Sequence, residues 1–177
     1  ADGLKQALSK GTDKAVKNLS KSGGYANNAL YRLAVPEDLK KVTSTLRGIG
    51  LGSMVDSFEG KMNEAAEEAV KQAAPVFVNA ITEMTLDDAR KILMGNNTAA
   101  TDYFHQKTST ILQQKYLPII KLKMNEIGLV KQFNSLLSSY NRIPLTSKVN
   151  FTLENYVTDK ALKGLFGVLA ETEKEEA

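Results

Sequence analysis

"MTLDDARKILMGNNTAATDYFHQKT", Met84 to Thr108, carries an adjacent pair of acids and, seventeen residues further on, the only histidine of the chain. Its reading decides between a chemical centre and the joint between two helices. Thr85 precedes Leu86-Asp87-Asp88, so its hydroxyl can accept the amide of Asp88 while Asp88 answers from the third helical position. That is a capping box with Asp in place of the usual Glu. Asp87 adds charge that suits the same helix end. Ala89, Ile92 and Leu93 then face inward, and Gly95 is the stop expected just past a C-terminus. Thr98 is placed to cap the next helix. Asp102 lies three residues before His105, on one helical face, and could take its ring proton or share a metal. A metal would need further ligands, and the sequence has no HExxH; a catalytic pair would want a nucleophile, and no Gly-x-Ser-x-Gly elbow is present. The stretch therefore reads as helix punctuation, with His105 on the surface.

Outward from this joint, three- and four-residue periodicity dominates. Leu4, Ala7, Leu8, Ala15, Val16 and Leu19 mark a first helix, with Gly11 as a soft spot, and Ser22-Gly23-Gly24 ends it. "NNALYRLAVPED" reads as an extended connector; Pro36 then takes a first helical position, followed by Glu37 and Asp38. That helix buries Leu39, Val42 and Leu46 and stops at "RGIGLG", a tight helix–helix corner without the lysine of a phosphate loop. The longest pattern, from about Ser53 to Met84, has small residues at its centre and Pro75 as an expected kink. A second, from Thr98 to about Ile127, has Pro118. Two more helices are expected near Leu129 to Tyr140 and Thr152 to Glu173, separated by "NRIPLTSKVN". The fold class is all-α: a single-domain bundle of about six to eight helices, two of them long and Pro-kinked. It spans 1–177, and the acidic end 171–177 is a solvated tail or the last turns of the final helix.

With 42% hydrophobic and 24% charged residues in 177, the chain has the composition of a globular domain rather than a disordered one. The net charge of +3 is spread along the sequence, which argues against nucleic acid as a partner. No cysteine is present, so disulfides, thiolate nucleophiles and zinc–thiolate sites are all excluded. No run approaches the ~18 apolar residues of a transmembrane helix. A chain that begins at Ala1 without methionine suggests removal of a signal peptide, hence an exported protein, periplasmic or extracellular.

Glu64, Glu67, Glu68 and Glu83 have spacings seen in di-metal bundles, but the Glu-x-x-His partner element is missing, and a solvated helix face is the better account. Asn18, Asn96 and Asn150 begin Asn-x-Ser/Thr matches of the kind chance supplies. Two kinked helices would splay and open a cleft, for which Phe77, Met84, Tyr103, His105, Tyr116 and Tyr140 are the candidate ligand-binding residues. Tyrosine hydroxyls suit such a site because each buried one seeks a partner.

Five phrases taken together, "GLKQALSKGTDKAVKNLS", "LRGIGLGSMVDSFEGKMNEAAEEAV", "FVNAITEMTLDDARKILMG", "AATDYFHQKTSTIL" and "YVTDKALKGLFGVLAETEKE", resemble a family of mostly bacterial exported helical proteins, domain of unknown function 4197. The resemblance runs from Gly3 to Glu175. It implies an all-helical fold and an exported, often envelope-associated, location, and brings no activity, cofactor or catalytic residue. Asn96-Asn97 and His105 depart from its pattern.

The function expected is that of a non-enzymatic exported binding protein holding an apolar small molecule between kinked helices. The alternative is a structural or protein-partner-binding domain of the envelope or extracellular space, with a homodimer as one form. An enzyme stands third, since it would need Asp102, His105 and a further polar group in one cleft.

Overall fold

The computed structural model describes residues 2–126, 128–141 and 153–176. Among them the chain forms α1 (Asp2–Ser20), α2 (Glu37–Gly48), α3 (Gly52–Ala69), a 3-10 turn (Val70–Gln72), α4 (Ala73–Thr82), α5 (Leu86–Met94), α6 (Ala99–Glu126), α7 (Leu129–Asn141) and α8 (Leu153–Glu176). This is one all-α domain. The segment 142–150 between the last two helices, and the Asn150 glycosylation match, lie outside the described residues.

The helix expected over 53–84 is two helices, and Pro75 supplies the reason. A continuous helix would require its amide to donate to the Lys71 carbonyl, and proline has no amide proton. The chain relaxes into a 3-10 turn at Val70–Gln72, and Pro75 falls in the first turn of α4, where no donor is needed. Pro118, by contrast, lies inside an unbroken α6. Pro36 is also displaced by one position: it is the N-cap of α2, with extended backbone (φ −62°, ψ 154°), and Glu37 is the first helical residue. The glycine corner between α2 and α3 is as short as its sequence implies, with Gly50 at φ +88°, where a side chain would be strained.

The core runs along α3, α4, α6 and α8. Ala65, Ala66, Ala69 and Ala73 are fully buried in line, and such small side chains allow neighbouring backbones to come close. Phe58, Phe77, Phe104, Leu112 and Ile120 fill the interior around them. α6 packs most extensively against α8, and α1 lies across α4 and α8.

The connector after α1 has few backbone partners of its own, and a buried segment must find them. α3 provides them through one stripe. Glu59, Asn63 and Glu67, four residues apart, face the connector. The Glu67 carboxylate accepts the amides of Gly23 (3.2 Å), Tyr25 (3.0 Å) and Ala26 (3.0 Å). Asn63 accepts the Leu33 amide at 2.7 Å and donates to the Leu33 carbonyl at 2.9 Å, and Glu59 accepts the Val35 amide at 2.9 Å. Glu67 is thus buried, not on a solvated face, because its charge replaces the water those three amides would otherwise bind. Glu64 remains exposed, and Glu68 pairs with Lys71 at 2.9 Å.

Candidate functional site

α5 begins as its sequence predicts. Thr85 Oγ1 accepts the Asp88 amide and the Asp88 carboxylate accepts the Thr85 amide, each at 3.1 Å. These bonds from Thr85 hold the Asp88 carboxyl below its ordinary range. Gly95 ends the helix, but in an extended rather than left-handed conformation (φ −85°, ψ −174°). Its requirement for glycine comes from space: a Cβ there would sit 2.7 Å from the Ala99 Cβ and 3.0 Å from the Lys91 carbonyl oxygen. The end of α5 is therefore pressed against the start of α6.

The cap of α6 departs from expectation. The Thr98 hydroxyl donates to Asn96 Oδ1 at 3.1 Å and has Asp102 Oδ2 at 3.5 Å. The carboxylate that caps α6 is Glu173, from the last turns of α8: it accepts the Ala100 and Thr101 amides at 2.8 Å each and the Thr101 hydroxyl at 2.7 Å. A negative charge at a helix N-terminus is favoured by the helix dipole as well as by these bonds. The acidic end is accordingly helical as far as Glu176, and Glu173 within it is engaged in this cap.

Where α1 passes over this junction, a groove of about 480 Å³ remains open. Leu4, Leu8 and Gly11 form one wall, Ile92 and Leu93 another, and Phe104 and Leu169 the floor, with Asn96 and Asn97 at the rim. Three threonines also line it, and each hydroxyl is already committed: Thr12 to the Leu8 carbonyl (3.0 Å), Thr172 to the Val168 carbonyl (2.9 Å), Thr101 to Glu173. The Thr172 methyl lies 3.9 Å from the point where a Gly11 Cβ would stand. With its polar groups satisfied from behind, the groove is chemically apolar, and its volume is within the range of small-molecule sites. At its mouth Leu93 is 68% exposed, and beside it Met94 is 80% exposed.

The residues expected from sequence to line a cleft occupy several places. Phe77 is fully buried, its ring centroid 5.3 Å from that of Phe104, and Met84 is core. Tyr103 is half-buried; burial and the nearby carboxylates of Asp88 and Glu83 raise its phenol above the ordinary value. Tyr116 is wholly buried and its hydroxyl finds no partner among the described residues, burial pushing its phenol well up. His105 is exposed, its ring 4.6 Å from that of Phe166 and Nδ1 3.3 Å from the Ser109 hydroxyl rather than on Asp102. The Tyr140 side chain lies outside the described residues. The structure brings Phe77 next to Phe104, and through it to the groove floor; Met84, Tyr103, His105 and Tyr116 do not line this groove. Leu4, Leu8 and Gly11 were visible only as the face and soft spot of a first helix, because nothing in their spacing says that α1 overhangs a junction seventy to ninety residues away.

Comparison with known families agrees with the fold. Residues 1–175 match the family described as protein of unknown function (DUF4197). The chain belongs to this family. No curated protein and no solved structure matches it. The match covers every element from α1 to α8, so the groove and its Glu173 cap lie within the family domain.

Proposed function

We propose that this DUF4197 protein is a non-catalytic exported binding protein that takes an uncharged apolar molecule in the groove between α1, α5, α6 and α8. The observation that carries the reading is the lining of the groove: hydrocarbon walls, threonines whose hydroxyls are already bonded, and a leucine exposed at the mouth. The single charge on it is the Glu173 carboxylate, so an anionic head group would be repelled there. The exported location is the one the family resemblance implies, and fractionation of the source cells tests it.

The chain has no tryptophan, so a neutral fluorescent probe, N-phenyl-1-naphthylamine, reads binding without interference. Saturable enhancement is expected with the native chain and its loss with Gly11→Leu. A Cβ at Gly11 meets only an ordinary contact, and a leucine fills the groove while improving helix propensity. Undiminished probe binding by a folded Gly11→Leu chain would sink the reading.

A second reading, docking of a protein partner or a second copy, is favoured by one observation. Leu86 (74% exposed) and Met94 stand out from α5 beyond the groove. Under it, sedimentation is expected to show association of the native chain, and Leu86→Glu with Met94→Glu to abolish it while leaving probe binding unchanged.

A further inference from the structure

Away from the groove, the connector crosses the start of α8 and leaves a cleft of about 340 Å³. Its walls are fixed by packing. The Tyr156 hydroxyl donates to the Ala34 carbonyl at 2.7 Å, tying the connector to α8. Tyr31 lies against the glycine face of α8: a Cβ at Gly164 would stand 3.3 Å from the Tyr31 Cβ, and one at Gly167 would overlap the Tyr31 ring. The connector is held from its other side by Asn63 and Glu59.

Into this cleft come cations from three elements: Arg32 from the connector, Lys40 from α2, Lys160 and Lys163 from α8. Tyr156, Lys160 and Lys163 share a face because their spacings are four and three. The Lys160 ammonium sits 5.8 Å from the Tyr156 ring centroid, which orients it over the cleft wall. The one carboxylate lining the cleft is Glu37, and Lys40 takes it at 2.7 Å. Glu59, behind the connector, is engaged by the Val35 amide and lies 3.7 Å from Arg47. Arg32, Lys160 and Lys163 have no ion-pair partner among the described residues. Three unneutralised cations gathered in one small cleft repel one another, and a bound anion relieves that repulsion. A guanidinium beside two ammonium groups and two aromatic rings fits a phosphate carried on a body that can lie against a ring.

We propose that this cleft is a second binding site, for a phosphate monoester or diester, with Arg32, Lys160 and Lys163 on the phosphate oxygens and Tyr31 and Tyr156 against the group that bears it. The site is independent of the apolar groove and stands or falls separately. The phosphate could belong to a soluble ester or to a lipid head group, and the test separates them. The full chain is titrated at constant ionic strength with phenyl phosphate, followed by amide chemical shifts, and sedimented with phosphatidylglycerol vesicles against phosphatidylcholine vesicles. The same measurements are made on Lys160→Gln with Lys163→Gln, whose exposed side chains can change without loss of folding. Saturable shifts over 30–36 and 156–167, weakened about tenfold or more in the variant, assign a soluble ester. Charge-dependent vesicle binding lost in the variant assigns a head group. Neither response, or an equal response in native chain and variant, or shifts spread without saturation over Lys10 and Lys61 as well, overturns the proposal.

Discussion

Glu173 holds Thr101 twice, by the amide at 2.8 Å and by the hydroxyl at 2.7 Å, across seventy-two residues of sequence. With the Ala100 amide on its other oxygen, this carboxylate does for α6 what a local N-cap would do. It also binds the end of the chain to the α5–α6 junction, so the groove floor and one of its edges are set by a single contact. Thr98, the residue in capping position by sequence, is turned instead to Asn96.

Glu173→Ala is therefore expected to cost about 1–2 kcal/mol in chemical denaturation, the cost of a lost cap with charge-assisted bonds. Thr98→Ala, which removes an exposed bond, is expected to fall within about 0.5 kcal/mol of the native chain. The opposite order would return the cap to Thr98.

Glu67 and Glu64 are one turn apart on α3 and look equivalent in sequence, yet one receives three amides and the other faces water. Glu67→Ala leaves those donors of the connector without partners, all three in part-buried or buried surroundings, and is expected to cost about 3 kcal/mol or more. Glu64→Ala is expected to change stability by less than about 0.5 kcal/mol. Paired urea melts of the two variants decide it.

These contrasts show what was legible in the sequence. Capping at Thr85–Asp88, the glycine corners and the apolar stripes are local, and short-range sterics and hydrogen bonding fix them within a few residues. Glu67, Asn63 and Glu173 act on backbone forty, thirty and seventy-two residues away. A carboxylate that will be buried on three amides stands in the same alanine-rich stretch of helix as one that will be solvated. The signal that was available is the spacing of Glu59, Asn63 and Glu67, one polar stripe on a helix otherwise apolar at its centre, facing a connector with few backbone partners of its own. The groove was out of reach for the same reason, since its walls come from four separate helices.

Tyr25 and Tyr116 form a second contrasting pair. Both are fully buried, but the Tyr25 hydroxyl donates to the Ala161 carbonyl at 2.5 Å while that of Tyr116 has no partner among the described residues. Tyr25→Phe removes a buried bond, while the Ala161 carbonyl keeps its place in the α8 ladder, at a cost of about 1 kcal/mol. Tyr116→Phe removes an unsatisfied group and is expected to be neutral or stabilising by about 1 kcal/mol. Thermal melts of the two variants, run side by side, check the sign of each.

The glycines of α8 serve the tyrosines that lie on them. In Gly167→Ala the new methyl overlaps the Tyr31 ring, so a loss of about 1–3 kcal/mol is expected although alanine is the better helix former. Tyr31→Ala combined with Gly167→Ala should cost less than the two single changes added together, because the clash is then gone. A double-mutant cycle in urea measures the coupling, and additivity would show that Tyr31 moves aside freely.

Asp88 gives the capping box a defined pH dependence. Its folded carboxyl ionises more readily than an unfolded one, because the Thr85 amide and hydroxyl stabilise the charged form. A carboxyl lowered on folding stabilises the protein above its unfolded value of about 3.9, and that contribution is lost as the pH falls through the lower folded value. Asp88→Asn is accordingly expected to lower Tm at pH 7 and at pH 5 by a similar amount. The gap should close progressively below about pH 4, where the native carboxylate takes up its proton. Melts at pH 7, 5, 3 and 2 resolve this window, and a gap as wide at pH 2 as at pH 7 would show that packing, not the ionised cap, is what the substitution removes.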